Sequence, residues 1–523
     1  MRNHMAAGWF YSPEQIWRYL LTRVTSLRPP KTKLRNPIEV LGELDAHQWH
    51  MFSVGFLSWM WESFDFFTVS LCVTEIAAEF ETTNSAVSWG ITITLMLRSV
   101  GALSFGAVAD RYGRKWIMMT CLALFIVLEL GSGFARTLPQ FLAIRALYGI
   151  AMGGLYGPAA ATALEDLPYD ARGLLSGLYQ GGYGTGYLLA AIFYRALVPT
   201  TTAGWRSLFY FGAGPPILIM AYRWWLPETN ASQVMRAKRE HALANKQGSD
   251  ITAATGAKAW FRDVRDSLRD NWFLFIYMVV LMTGFNSCSH GSQDFYPTFL
   301  KNEVELDATQ VTVISVVGQI GSILGSTVVG YISTFFGRRL SMIICCVLGA
   351  AVLPAYILPR SMALVGTAFV LQFFVGGVYG PIPIHLTELS PPALRTTVVG
   401  LTYQLGNLAS SASATIQATI GERFPLPSKD GVERFNYGKV IGIFMAAVWV
   451  FLLILIFFGP EMSEEERDEY GAAANYIEKM RKQGVSLVEI GARGANLSES
   501  SEDQLSEKQP DVQQDIVGKG DVV

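Results

Sequence analysis

The sequence predicts an all-α membrane protein whose twelve transmembrane helices form two pseudo-symmetric six-helix halves. Three observations carry this prediction. The 523-residue chain is 51% hydrophobic and only 16% charged, against about 25% charged residues in ordinary soluble domains. Apolar runs of the ~20 residues that cross a ~30 Å hydrocarbon core recur along it. Stretches of the first half also return in register in the second. Helices follow because a segment in lipid must pair its own backbone groups, and barrel strands would show ~10-residue alternating segments instead.

The runs lie at roughly 50–74, 86–109, 116–135, 140–164, 173–197, 205–226, 271–296, 309–335, 340–358, 363–388, 396–420 and 437–459. They divide the chain into a cytoplasmic N-terminal segment (1–48), a first half (49–226), a basic cytoplasmic linker (227–270), a second half (271–460) and a cytoplasmic tail (461–523). Arg18, Arg23, Arg28, Lys31, Lys33 and Arg35 precede the first span, whereas the connection after it, "EIAAEFETTNSA", has no Lys or Arg. By the positive-inside rule both termini are cytoplasmic. The first 48 residues contain no apolar core of signal-peptide length, so the first span is expected to direct insertion.

Within the N-terminal segment, "SPEQIWRYLLTRVTSL" sets Ile16, Leu20, Val24 and Leu27 on one helical side. That is the pattern of an interfacial helix, with plain linker as the other reading. The tail from about residue 490 lacks aromatic residues and reads as disordered. Ser498–Ser501 and Lys508 are candidate modification sites there, through which turnover machinery would act. All five cysteines, Cys72, Cys121, Cys288, Cys345 and Cys346, fall in the spans, which reads as apolar filling rather than a disulfide framework.

The internal repeat is specific. "GAVADRYGRK" (Gly106–Lys115) after span 2 returns as "GYISTFFGRR" (Gly330–Arg339) after span 8. In span 4, Tyr156, Pro158, Glu165, Arg172 and Gly177 return in span 10 and beyond as Tyr379, Pro381, Glu388, Arg395 and Gly400. Such register marks duplication of a six-helix unit. With "RALYGIAMGG" in span 4 and "PET" at 227–229, these stretches resemble the major facilitator superfamily from about 50 to 460. The resemblance implies a substrate site near the midplane between halves that rock around it. It also implies a gating role for Asp110, Arg111, Arg114 and Lys115 at the cytoplasmic end of the half interface, the other reading being a positive-inside loop. Thr334 stands where Asp110 stands in the first copy, so a latch there lacks its acid.

Span 7 carries an unusual polar stripe. In "NSCSHGSQDFYPT", Asn286, Ser289, His290, Gln293 and Asp294 fall on one side of a helix of 3.6 residues per turn. An ionised Asp at the centre of a span costs ~2.5–3.5 kcal/mol on insertion scales, so such residues face a wet cavity. The alternative, given Pro297, is a helix end emerging into water. The pattern Asn286, Ser289, His290, Ser292, Gln293, Asp294 and Thr298 resembles the signature of the fungal Jen-type monocarboxylate–proton symporters of the plasma membrane. "WESFDFFTVSL", "LMLRSVGA" and "YQLGNLASSASATI" support the resemblance. Gln180 and Gly181 in span 5 depart from it, since relatives tend to have an aromatic residue and a serine there, which bears on the preferred acid.

A short carboxylate calls for a cationic, bidentate partner that stays charged when buried, which describes Arg. Arg98 lies in the strongly apolar "WGITITLMLRSVGALSFGAVA", ~18 Å along the helix from Asp110 and hence near mid-membrane. It is the expected anion anchor, with an ion pair to Glu62 or Asp65 as the alternative. Gln404 and Asn407 share a face of span 11 and offer amide donors to a hydroxyl or keto oxygen, or hold helices together. His290 is the side-chain type that titrates near neutrality, and with Asp294 one turn away a proton is best described as shared. Glu62 and Asp65 are the runner-up proton site, and His385 in span 10 reads as structural.

No nucleotide loop, metal-ligand spacing or nucleophile motif stands on a soluble segment able to fold alone. Neither enzymatic activity, a cofactor nor a nucleic-acid partner is therefore expected. The expected function is import of short monocarboxylates such as lactate and pyruvate with protons across the plasma membrane, with small carboxylates, protons and the bilayer as partners. A sugar or sugar-acid symporter of the same superfamily and a non-transporting nutrient receptor are the rivals.

Overall fold

The computed structural model describes residues 13–27, 35–247, 253–391, 394–421, 423–429, 432–461, 476–477, 479–481 and 483–490. The expected disordered tail, with Ser498–Ser501 and Lys508, lies outside the described residues. In chain order the spans of the first half are α1 (Ala46–Leu71), α2 (Asn84–Tyr112), α3 (Arg114–Phe134), α4 (Leu138–Leu164), α5 (Tyr169–Leu197) and α6 (Arg206–Gly212 continued by Gly214–Trp225). The second half has α7 (Ala253–Gln293), α8 (Ala308–Phe336), α9 (Arg338–Ile357), α10 (Leu364–Tyr379 continued by Ile382–Leu389), α11 (Arg395–Ser410 continued by Ser413–Gly421) and α12 (Tyr437–Phe458).

Among the described residues, eight helices are long and apolar enough to cross a membrane by length and composition alone. The other spans are α1 and α5, diluted by polar and glycine residues, and α6 and α11, which are each broken in two. α7 is longer than the expected span: it starts within the linker and kinks at Asn271, where φ is −119° and ψ 16°. A short antiparallel hairpin, Pro425–Lys429 with Val432–Phe435, joins α11 to α12 and departs from the all-helical expectation.

Local chemistry repeats between the halves. α1 and α8 both begin with capping boxes, Asp45 with Gln48 and Asp307 with Gln310, which satisfy orphan helix donors. α2 and α8 both end at a glycine of positive φ, Gly113 (103°) and Gly337 (88°), so that the next helix can start at once. Each turn is backed by a glutamate after the last span of its half. Glu228 accepts from Lys115 N at 3.0 Å, and Glu461 from Arg338 N at 2.6 Å. Arg114–Glu165 (2.8 Å) in the first half is matched by Arg338–Glu388 (3.1 Å) in the second.

The five cysteines are free and buried. The helix Pro13–Leu21 lies against the second half, with Tyr19 Oη donating to Phe458 O and Arg23 Nη1 to Gly459 O, both at 2.8 Å. Trp17, Leu21 and Val24 remain exposed.

The halves meet tightly at the end bearing Gly106–Lys115. A Cβ on Gly177 of α5 would lie 2.2 Å from Ser326 O of α8, and one on Gly157 of α4 2.5 Å from Thr396 O of α11. Small residues thus let backbones touch across the interface. Toward the other end the halves part around a cavity.

Candidate substrate site

The cavity holds about 590 Å³ of empty space, part of it continuous with solvent, between α2 and α5 of one half and α7, α8, α10 and α11 of the other. Arg98 reaches it because α2 and α4 are pressed together: a Cβ on Gly153 would lie 1.8 Å from the Arg98 carbonyl oxygen. The Arg98 side chain is buried, with Nη2 3.3 Å from Met152 Sδ and its guanidinium carbon 4.8 Å from the centre of the Phe66 ring. Glu62 stands behind it, Oε1 4.0 Å from Arg98 Nη1.

The α7 stripe faces the arginine from the opposite half. Asn286, Ser289, His290 and Gln293 all line the cavity. Asn286 Oδ1 accepts from Tyr379 Oη at 2.8 Å, and its Nδ2 donates to Tyr403 O at 3.3 Å. His290 Nδ1 meets Asp294 Oδ2 at 2.8 Å, and its Nε2 lies 3.4 Å from Asn407 Oδ1. Gln293 joins an amide chain, donating to Gln372 Oε1 at 2.9 Å and accepting from Gln319 Nε2 at 3.2 Å. Helix α7 stops at Gln293, so Asp294 follows it on the rim with its side chain 43% exposed. It does not line the cavity itself and is joined to it by its contact with the histidine.

Several expected residues are placed elsewhere. Gln404 is fully buried behind Asn407, whose Nδ2 donates to Gln404 Oε1 at 3.1 Å; Asn407 lines the cavity and Gln404 does not. Asp65 is not brought to the cavity. It accepts from Tyr148 Oη at 2.6 Å beside Glu129, which pairs with Arg145 at 3.0 Å, all within the first half. His385 is buried, and among the described residues neither ring nitrogen has a hydrogen-bond partner.

At the closed end, Asp110 accepts from Thr396 N (3.0 Å), Thr397 N (2.7 Å) and Thr397 Oγ1 (2.6 Å) across the half interface. Arg114 donates to Glu165 and, at 3.3 Å, to Thr396 Oγ1. Arg111 lies 5.1 Å over Tyr112. Lys115 instead donates to Trp224 O and Leu226 O at 2.7 Å, which ties α3 to the end of α6 within one half.

Sequence reasoning missed an aromatic stack across the halves, of which Tyr403 lines the cavity. Tyr403 of α11 and Tyr156 of α4 stack across the halves with centroids 4.0 Å apart, and Trp59 lies against both. The repeat of Tyr156 as Tyr379 was visible, but not that Tyr379 would hold Asn286. Gln180 and Gly181, the departures in span 5, do line the cavity.

The sequence profile of the family described as "Sugar (and other) transporter" matches residues 38–474. The chain is 37% identical to the "Carboxylic acid transporter protein homolog" of Saccharomyces cerevisiae, over 92% of this chain and 80% of that one. It is 27% identical to the "Cis,cis-muconate transport protein" of Acinetobacter baylyi, over 71% of this chain and 88% of that one. In structure it is similar to the proton:xylose symporter XylE, with a TM-score of 0.62 at 16% identity, covering 81% of this chain and 99% of that one. Two duplicated six-helix halves closing on a central polar cavity, the profile match and the yeast relative matched over most of its length agree. The chain belongs to the sugar (and other) transporter family of the major facilitator superfamily, as a multi-pass membrane transporter and not an enzyme.

Proposed function

We propose that this protein imports short monocarboxylates such as lactate and pyruvate together with protons across the plasma membrane, by alternating access. The observation that carries the reading is a buried arginine, Arg98, facing a histidine–carboxylate pair, His290–Asp294, across one cavity from the other half. A carboxylate bound bidentately by Arg98 leaves its hydroxyl or keto oxygen to Asn286, Gln293 or Asn407, which are uncharged and discriminate by hydrogen bonding. Protonation of His290–Asp294 from an acidic exterior reduces negative charge at the entrance and favours anion entry; loss of that proton on the cytosolic side reverses it. Both termini and the closed end are then cytoplasmic, and the conformation described is outward-facing. The carboxylate names of the yeast and Acinetobacter relatives support the substrate class.

A sugar-acid substrate is favoured by one observation. The Gln293 amide at the cavity wall is linked to those of Gln372 and Gln319 behind it, a chain of amides suited to hydroxyl groups. Both readings are tested by uptake of labelled lactate at pH 5 and pH 7.5, with and without a protonophore, in cells lacking their own carboxylate carriers. Saturable uptake that is higher at pH 5, collapses with protonophore and is lost in Arg98→Ala is expected. Surface-expressed protein that takes up a sugar acid but no lactate refutes the first reading.

A further inference from the structure

Among the described residues, buried arginine–glutamate pairs differ in how closely they meet. Arg114–Glu165, Arg145–Glu129 and Arg338–Glu388 are direct contacts of 2.8, 3.0 and 3.1 Å, the lengths of charge-assisted hydrogen bonds. Arg395–Glu165 is longer, at 3.6 Å, but shares a glutamate that Arg114 already holds. Arg98–Glu62 is the loosest. Its atoms approach only to 4.0 Å, and among the described residues neither Glu62 oxygen has a hydrogen-bond partner, nor has Arg98 Nε. Glu62 is 1% exposed and Arg98 3%. A carboxylate so dry and unbonded is poorly stabilised as an anion, and a guanidinium so placed keeps most of its donors for another partner.

The two residues also differ in access. Arg98 lines the cavity, whereas Glu62 does not. A substrate carboxylate therefore reaches the guanidinium from the cavity while Glu62 sits on the side away from it. The titratable groups close enough to interact electrostatically with Glu62 are Cys121 on α3, Tyr156 on α4, Tyr179 and Tyr183 on α5, and Tyr403 on α11, with Arg98 of α2 as the cation acting on it. One guanidinium then serves two carboxylates in a site of low polarity, and both cannot keep their charge.

We propose that Glu62 is an internal competitor of the substrate: its carboxylate compensates Arg98 until an incoming carboxylate takes the guanidinium, and that exchange requires Glu62 to take up a proton. The proton comes from cavity water or from His290–Asp294, forms an O–H bond on Glu62, and leaves again when the substrate departs and Arg98 is compensated from within. This rests on the carboxylate–proton reading above and deepens it, giving Glu62 a charge-exchange role distinct from capture of protons at the entrance. By linkage, lactate binding and Glu62 protonation favour each other by the same factor.

The test is the Michaelis constant for lactate between pH 5 and pH 7.5 in wild type, Glu62→Gln and Glu62→Asp, each also in an Asp294→Asn background. Glu62→Gln, neutral at every pH, is expected to bind lactate about tenfold or more tighter than wild type at pH 7.5, leaving only the part of the pH slope that His290–Asp294 carries. Glu62→Asp keeps the slope. In the Asp294→Asn background a residual slope persists and disappears when Glu62→Gln is added.

An unchanged slope in Glu62→Gln overturns the proposal, as does a loss of binding equal to that of Arg98→Ala, which assigns Glu62 to positioning the arginine. Should Glu62→Gln fail to reach the membrane, proton uptake by purified Asp294→Asn protein on adding lactate in weakly buffered solution decides. One proton per lactate is expected, and none overturns the idea. Wild-type protein that binds no short carboxylate overturns the functional reading along with this one, whereas transport with an unaltered slope in Glu62→Gln overturns this one alone.

Discussion

Replacing Asp110 with alanine is expected to open the closed end of the transporter. Asp110 sits on the last turn of α2, and its carboxylate accepts three hydrogen bonds of 2.6–3.0 Å from Thr396 and Thr397 at the start of α11, in the other half. The acid thus caps the positive end of a helix it does not belong to. Hydrogen bonds to a charged group contribute ~1.5–3 kcal/mol each when buried. Asp110 is only half-buried, so water replaces part of this, and roughly 2–4 kcal/mol of interface stabilisation is lost. At ~1.4 kcal/mol per tenfold, the equilibrium between closed and open at this end moves by about 30- to 1000-fold.

The assay is modification of a cysteine at Ala102, which is 2% exposed and whose Cβ lies 3.9 Å from the Cβ position of Gly400 across the interface. The native cysteines are buried and give little background. With a bulky hydrophilic maleimide on purified protein in nanodiscs, labelling is expected to accelerate at least ~30-fold in Asp110→Ala. Asp110→Asn, which keeps an acceptor but loses the charge, should show a smaller increase. Labelling rates within twofold of wild type in Asp110→Ala would refute the reasoning and leave the interface to the small-residue packing of Gly157 and Gly177.

Other expectations follow from the same contacts. Gly153→Val drives a side chain into the Arg98 backbone, and is expected to lower both thermal stability in detergent and lactate affinity, whereas Gly366→Val, which meets nothing within 4 Å, should change neither. Arg145→Met leaves Glu129 buried without its 3.0 Å partner, a loss of ~3–5 kcal/mol read as a fall in melting temperature, and Glu129→Leu on top should restore part of it. Asp294→Asn should reduce the pH dependence of uptake to the residual slope that Glu62 carries while leaving saturable lactate exchange, measured by counterflow. Asn407→Ala, at the cavity wall, should weaken 2-hydroxy acids more than acetate, and Gln404→Ala should act mainly on stability, measured by competition and by thermal shift.

Much of the architecture was legible in the chain. Apolar runs of membrane-crossing length located every span, because hydropathy is a local property that lipid reads directly. The duplication marked Glu388 as the repeat of Glu165 and Gly330–Arg339 as the repeat of Gly106–Lys115, and the structure pairs Arg114 with Glu165 and Arg338 with Glu388. The polar stripe of α7 was legible because a polar residue in a span must turn from lipid, and four of its members do line the cavity. What helical spacing does not contain is the rotation of each helix about its axis or its depth against helices distant in sequence. Those depend on which backbones can touch, set here by glycines such as Gly153 and Gly177 against carbonyls of other spans.

Only the packed molecule therefore decided that Arg98 meets Glu62 loosely, while Asp65 withdraws to Glu129, Arg145 and Tyr148. The same packing put Gln404 behind Asn407, turned Lys115 to α6, joined Gln293 to Gln372 and Gln319, and stacked Tyr403 on Tyr156 across the halves. The sequence by itself determined the twelve spans, the two halves and the polar chemistry between them. Which of those polar groups touch is a property of close packing between helices, and close packing has no local signature in the chain.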